Sequence, residues 1–354
     1  MTLSGSRGLI RAAKNPNCQL QLAMILKKVS EPEFYRRVTG QKYPGEYGLR
    51  PSAQRRGYKM EENAFKNNAA ELRRALAERY GGDPDRISVL NFADMEPGAS
   101  KEINAKRLYL TRKAIREAAA GNKKWALLIQ PHLRLPYGPG PLEFFTVIPD
   151  FAFWSDVYPF YITGDLKSFI VRDNVPDQED LEDTRLQGAI QYLALKAELE
   201  RYGKGHLIDP RAAFVFATPY GLKPAPAFED NLPAEVHQVQ RGIEAVVKLK
   251  ADLARIEGLD APQLENMMDD LSINFQEKCF GTCIMAGECE KRFAGRVRAL
   301  GDAASDMLGP DTSIDTLVAL LDPTRTLRPE DEAVALQLRD LARALGYTQG
   351  RIGA

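Results

Sequence analysis

The stretch Pro149–Lys167, PDFAFWSDVYPFYITGDLK, constrains the chain most, because it places ionisable groups among residues that build an apolar core. It reads as two short apolar strands, about Phe144–Trp154 and Phe160–Ile170, joined by a tight connection around Tyr158 and Pro159. Strand side chains alternate between faces, so Asp165 and Lys167 share one face and Leu166 takes the other. Asp150 falls near the middle of the first strand, where hairpin pairing would bring it beside Asp165. Carboxylates and an ammonium on apolar strands are costly unless they pair with one another or bind a metal. The competing reading is a surface ion pair between Asp165 and Lys167, worth little in itself. The flanking Phe160, Tyr161, Ile162, Phe169 and Ile170 argue against so exposed a strand.

At 354 residues the chain has ample material for a core, and its 44% hydrophobic and 27% charged content is that of a globular protein. No apolar run approaches the roughly 20 residues that span a bilayer, and MTLSGSRGLIRAAKN lacks the apolar region of a secretory signal. The expectation is a cytoplasmic protein with no membrane partner. Residues 1–60 hold twelve Lys/Arg against three Glu, a net of +9, so the rest of this neutral chain carries −9. A basic first sixth suits a surface that meets phosphates; a solvated basic arm is the alternative. Three of four cysteines, Cys279, Cys283 and Cys289, crowd into eleven residues. In a reducing compartment such clustering points to a metal before a disulfide. His132, His206 and His237 are scattered, and no phosphate-binding Gly-x-x-x-x-Gly-Lys-Ser/Thr loop occurs, which excludes an ATP-driven motor within this chain.

In order, residues 1–30 read as a helical entry with Cys18 opening an apolar helix, followed by the loop TGQKYPGEYGLRPSAQRRG. A helix is signalled from Lys59 to Tyr80 and stopped by Gly81-Gly82-Asp83-Pro84. Its apolar stripe runs Phe65, Ala69, Leu72, Leu76, Tyr80, and one turn back stands Glu61, a carboxylate on the buried face. A first-turn glutamate favoured by the helix dipole is the plain alternative. Residues 85–100 read as irregular, Lys101–Gly121 as a polar helix and Trp125–Leu135 as one buried strand. A helix over about Glu179–Tyr202 turns Leu186, Ile190, Leu193 and Ala197 to the core, with Gln187 and Gln191 one turn apart. A strand at Arg211–Leu222, the linker KPAPAFEDNLP, a helix at Val236–Ile256, the cysteine segment and an acidic tail from about Leu300 complete the chain. That order predicts a mixed α/β sheet core with helical additions at both ends.

Glu61, Pro149-Asp150, Asp165-Leu166-Lys167 and the Gln-bearing helix resemble, in order, the motifs of the RecB-like branch of the PD-(D/E)xK nucleases. Gly57-Tyr58-Lys59-Met60-Glu61 stands where many relatives carry Gly-x-x-x-His. Gln187-Gly188-Ala189-Ile190-Gln191 stands where they carry Gln-x-x-x-Tyr, with Tyr192 displaced by about 100° around the helix. Cys18 before these motifs and Cys279-x3-Cys283-x5-Cys289 after them resemble the iron–sulfur subgroup that includes CRISPR-associated exonucleases and AddB-type nucleases. That subgroup usually spaces its trio Cys-x2-Cys-x5-Cys. The likeness runs over roughly residues 5–300.

The resemblance implies a restriction-endonuclease-like core at 59–222, after a basic helical segment at 1–58 and before a cysteine-bearing segment at 223–300 and a helical tail at 301–354. It implies that Asp150, Asp165 and Glu61, with the Leu166 carbonyl, hold Mg²⁺ or Mn²⁺, that Lys167 activates water, and that Gln187 supports the lysine or the substrate. Arg55, Arg56, Lys59, Gln191 and Tyr192 are the candidate DNA contacts. Four thiolates suit a [4Fe–4S] cluster or zinc; the spacing lacks paired Cys-x2-Cys knuckles, and the resemblance implies the cluster. The expected function is metal-dependent DNA cleavage on single strands or DNA ends, in phage defense, CRISPR adaptation or DNA repair, alongside a helicase, integrase or similar partner. The alternative is a non-catalytic DNA-binding iron–sulfur subunit of a larger complex.

Overall fold

The computed structural model describes residues 2–4, 6–27, 31–43, 51–94, 101–122, 124–138, 140, 143–154, 157, 160–170, 178–218, 221–226, 228–253, 271, 273–275, 279–297, 307–309 and 312–344. The expected connection at Tyr158-Pro159 lies outside them, as do the side chains of Phe169 and Ile170.

Two prolines decide how the central strands are shared out. β3 (Leu127–Ile129) pairs antiparallel with β6 (Phe151–Phe153), and β4 (Leu133–Pro136) with β5 (Phe144–Val147). Both pairs belong to one ribbon of unbroken register: Ile129 faces Phe151, the Gln130 N–H donates to the Asp150 carbonyl at 2.9 Å, and Leu133 faces Val147. Pro131 therefore falls opposite Pro149. Neither has an N–H to give, so the ladder fails on both strands at that rung. Gln130 turns to φ 50° and the ribbon bends. Its outer half joins β1 (Thr2–Ser4) in a three-stranded sheet, β1-β5-β4, and its inner half enters a six-stranded sheet. The single strands expected at Phe144–Trp154 and Trp125–Leu135 are each two strands in different sheets.

The six-stranded sheet runs β2 (Val89–Asn91), β3, β6, β7 (Tyr161–Ile170), β8 (Ile208–Ala217), β9 (Phe228–Asn231). Its mixed pairing, with helices on both faces, is a mixed α/β architecture. β7 and β8 are parallel, so the chain between them must cross over, and α6 (Gln178–Glu200) makes that crossing. Alternation along β8 sends Ala212, Phe214 and Phe216 into the core beneath α6, and Ala213, Val215 and Ala217 into a second core beneath α4 (Pro51–Tyr80). β2 and β9 fall in stretches that read as irregular and as linker; each is a short edge strand.

α4 corrects two expectations. It begins at Pro51, inside the stretch that reads as a loop, and it is interrupted. Lys66 is extended (ψ 158°), and Asn67, Asn68 and Ala69 are left-handed with φ between 52° and 55°. Asparagine tolerates that region better than most residues, which locates the break. The buried stripe consequently changes phase, from Met60, Asn63 and Ala64 before it to Ala69, Leu72 and Leu76 after it. Glu61 stands on the flank of the first stripe.

The amino-terminal helices α1 (Ser6–Lys14), α2 (Gln19–Lys27) and α3 (Glu31–Thr39) are part of the larger core, which runs from Leu9 to Phe293. α7 (Pro233–Leu253) packs on α1 so closely that a Cβ on Gly242 would stand 2.7 Å from the Ala13 nitrogen. Helices Ile314–Leu321 and Pro329–Ala344 bury Leu320, Ala335 and Leu338 in a separate small cluster. Among the described residues, no helix is long and apolar enough to cross a membrane.

Candidate active site

The site lies where the ribbon bends onto β7. β6 begins at Phe151 opposite Gly164, and continuing that register would set Leu166 against Pro149. The Asp150 carboxylate takes the Leu166 N–H instead, its Oδ2 accepting at 2.6 Å. Asp150 thus sits at a bend beside β7, not mid-strand as its sequence position implied, and it still reaches Asp165. Gly164 makes this approach possible. A Cβ there would stand 2.0 Å from Phe151 Cζ and 2.6 Å from the Ala213 carbonyl oxygen. The sequence signal was a glycine inside an apolar strand, which marks close approach of a neighbour.

Asp165 is 2% exposed and faces α6 with Lys167, while Leu166 joins the core beneath α4. Lys167 Nζ is ion-paired with Asp165 Oδ2. Two amides one turn apart on α6 hold the other oxygen: Gln187 Nε2 donates to Asp165 Oδ1 at 3.0 Å and Gln191 Nε2 at 3.3 Å. Gln187 also accepts from Lys167 Nζ at 2.9 Å, so it joins the ammonium to the carboxylate. A Cβ on Gly188 would come within 3.0 Å of Ala212 Cβ and Phe214 Cζ; the missing side chain lets α6 settle on β8 near enough for both glutamines to reach. Gln191, a candidate DNA contact by sequence, is buried against Asp165, and Tyr192 packs on the core. Arg55, Arg56 and Lys59 are exposed along the first half of α4, with Lys59 paired to Glu62. Asn63 anchors that half, its Nδ2 donating to the Gly221 and Leu222 carbonyls at 2.8 and 3.1 Å.

The electrostatics are those of crowded anions. Burial, then the charge of Asp165 and a hydrogen bond to it, pushes the Asp150 carboxyl well above the usual carboxylate range, against the Leu166 N–H and Lys167. Glu61, half-buried, is pushed up by burial and then by Asp165. It has no hydrogen-bond or ion-pair partner among the described residues. Asp150 and Asp165 thus share one ammonium, Glu61 stands in the field of Asp165, and all three offer hard oxygens. Among the described residues, no three His, Cys, Asp or Glu side chains are placed so as to hold a metal ion as they stand. Lys167 closes on the oxygen of Asp165 that a cation would take.

None of the four cysteines is disulfide-bonded; three are buried and Cys283 half-buried, and they share a second neighbourhood. Cys18 caps the start of α2, where the Leu20 and Gln21 N–H groups point at its sulfur, and it senses Cys279. Cys283 and Cys289 are pushed up to about 12, first by burial and then by the other cysteines. Asn15 Nδ2 links the segments, donating to the Asn274 carbonyl at 2.8 Å and to Cys279 Sγ at 3.7 Å. The four sulfurs lie within one another's electrostatic reach, and as they stand they are not placed so as to hold a metal ion. Against known proteins, the chain matches no family model, no curated protein and no solved structure.

Proposed function

We propose that the chain is a divalent-metal-dependent nuclease that hydrolyses DNA phosphodiester bonds on single strands or DNA ends, of the RecB-like iron–sulfur type. The observation that carries this reading is the meeting of Asp150 and Asp165 at Lys167, with Glu61 in the field of Asp165 and Gln187 bridging the lysine to Asp165. An all-oxygen donor set with more negative charge than its one ammonium offsets fits Mg²⁺ or Mn²⁺. Asp150, Asp165 and Glu61 would hold the ion, with the Leu166 carbonyl as a further oxygen. A bound divalent ion neutralises non-bridging phosphate oxygens and lowers the pKa of water.

The chain's own residues supply the rest. Gln187 holds the Lys167 ammonium at the carboxylates, where it orients the attacking water and donates to charge developing on the phosphate oxygens. The amides of Gln187 and Gln191 fix the Asp165 rotamer through one oxygen and leave the other for exchange between lysine and ligand. Cys18, Cys279, Cys283 and Cys289 would hold a [4Fe–4S] cluster, with zinc as the alternative metal. Either would tie the amino-terminal helices to the chain some 260 positions later, and its binding free energy would be folding free energy. Phage defense, CRISPR adaptation or repair, with a helicase or integrase partner, belongs to the same proposal.

The closure of Lys167 on Asp165 favours a second reading, a DNA-binding iron–sulfur subunit without catalysis. Digestion of single- and double-stranded DNA with Mg²⁺ or Mn²⁺ separates the two. Asp165→Ala and Lys167→Ala are each expected to cost at least ~100-fold in rate. Undiminished cleavage by either variant would sink the nuclease reading, and DNA retention without any metal-dependent cleavage would establish the second.

A further inference from the structure

We propose that Arg134 and Arg201, in the field of Arg112, form a phosphate-binding site at the carboxy-terminal end of α6, distinct from the carboxylate centre. Arg134 lies on β4, diagonal to Phe144 on β5, and its guanidinium stacks over the Phe144 ring at 3.9 Å to the centroid. The stack holds the fork in one plane on a half-buried stem. Among the described residues, that fork makes no hydrogen bond and no ion pair.

The carboxylate within reach is already committed. Glu198, 1% exposed, accepts from Arg112 Nε at 3.0 and 3.2 Å and from Arg112 Nη2 at 2.8 Å, and it pairs with Arg201 Nε at 3.5 Å. Two guanidiniums therefore take up the one carboxylate, and Arg134 stands in its field unpaired. Burial first, and then the charges of Arg112 and Arg201, hold Arg134 below the usual arginine range, with only Glu198 opposing. A second anion would relieve that excess. A planar fork on an aromatic face beside a second, exposed guanidinium suits a tetrahedral oxyanion with several acceptor oxygens.

The position gives the site a use. Glu198 and Gln191 are seven residues apart on α6, on the same buried face, so the cluster lies about 10 Å along the helix from the amides that hold Asp165. A strand whose phosphodiester occupied the carboxylate centre would bring a further phosphate to Arg134. This last step rests on the nuclease reading; the phosphate site itself does not. The ligand is either a free phosphate or a phosphate within a nucleic-acid strand.

Binding measured in EDTA, where divalent ions cannot support cleavage, tests it with two probes: inorganic phosphate, and a short single-stranded oligonucleotide with or without a 5′-phosphate. Arg134→Gln is expected to weaken oligonucleotide binding about 10-fold and to lower the salt slope by about one. Arg134→Lys is expected to keep the slope, because the charge remains, while losing affinity with the fork. Its melting temperature guards against a folding defect. Loss of phosphate binding alone would assign the site to free phosphate, and a loss confined to the 5′-phosphorylated strand would assign it to strand ends. If Arg134→Gln binds both probes like the unmodified protein, the site does not exist, whatever the digestion assay shows. Conversely, Arg134-dependent binding without metal-dependent cleavage would leave this site standing and remove the nuclease reading.

Discussion

Replacing Gln191 with leucine is expected to leave the fold about as stable as before while weakening the hold of the carboxylate centre on a divalent cation. Two terms oppose each other. Gln191 is 0% exposed, and its Oε1 has no hydrogen-bond partner among the described residues. A buried acceptor in that state costs about 1–3 kcal/mol, which leucine would remove. Its Nε2 donates to Asp165 at 3.3 Å, long for such a bond, so its loss costs about 1.5 kcal/mol or less. The shapes are similar, and the net change should lie within about 1 kcal/mol of zero. Gln187→Leu provides the contrast. Both ends of Gln187 are engaged, at 3.0 Å to Asp165 and 2.9 Å from Lys167, so leucine leaves two charged groups short of partners. With allowance for its partial exposure, that variant should lose about 2 kcal/mol. Under the proposed metal-dependent function, cation affinity should fall roughly 10- to 100-fold in both, the usual cost of losing an outer-shell partner of a ligating carboxylate. Urea unfolding and titration of free Mn²⁺ by its spin-resonance signal measure the two quantities. Loss of more than about 3 kcal/mol in Gln191→Leu, or unchanged Mn²⁺ binding in both variants, would refute this account of the paired amides.

Gly164→Ala should destabilise the protein by about 3 kcal/mol, because the new Cβ meets Phe151 and a backbone carbonyl that cannot move cheaply. A thermal melt reads the loss, and reduced Mn²⁺ affinity would show Asp150 displaced along with Phe151. His132 is 3% exposed and lowered to about 4, first by burial and then by Arg107, so its folded form resists protonation that the unfolded chain accepts near 6.5. Its contribution is whole above pH 6.5 and is lost as pH falls from there towards 4, by up to about 3 kcal/mol. Urea melts at pH 7 and pH 5 should show a smaller drop for His132→Leu than for the unmodified protein, and equal drops would contradict the assignment. Protein purified without air should be brown with broad visible absorbance that disappears in Cys283→Ser; a colourless, zinc-loaded protein would replace the cluster and leave the carboxylate centre untouched.

The sequence made the site legible where its chemistry is carried by local spacing. Asp165 and Lys167 share a face because strands alternate, and Gln187 and Gln191 share one because helices repeat every 3.6 residues. Both relations survive whatever the rest of the chain does. Glu61 was legible only in part. Its neighbourhood with Asp165 holds, but the break at Asn67–Ala69 sets the phase of its helix, and no periodicity marks a left-handed turn. β2 and β9 are three and four residues long, too short for alternation to register, and are recognisable only by the strands they pair with. The guanidiniums around Glu198 gave no sequence signal, because Arg112 comes from α5 (Lys101–Ala119), Arg134 from β4 and Arg201 from the turn after α6, which only the fold brings together.

The arrangement of Asp150 was both the best and the least well founded of the sequence expectations. It reaches Asp165 as expected, yet not as one residue among others in a paired strand. Pro149 and Pro131 stand where the ribbon bends, and β6 pairs with β7 only from Phe151 onward, so the Leu166 N–H has no acceptor on that strand. A carboxylate at the next position satisfies it. The cost of interrupting the ladder is thereby offset by a charge-assisted hydrogen bond that also fixes the acid beside Asp165. Pro-Asp at a strand entry is thus a positional device: the proline ends the ladder, and the aspartate occupies the vacancy. The glycine opposite Phe151 and the glycine beside Gln187 do the same by omission, each letting one element approach until polar side chains meet. What makes the site is the set of places where regular structure is made to stop.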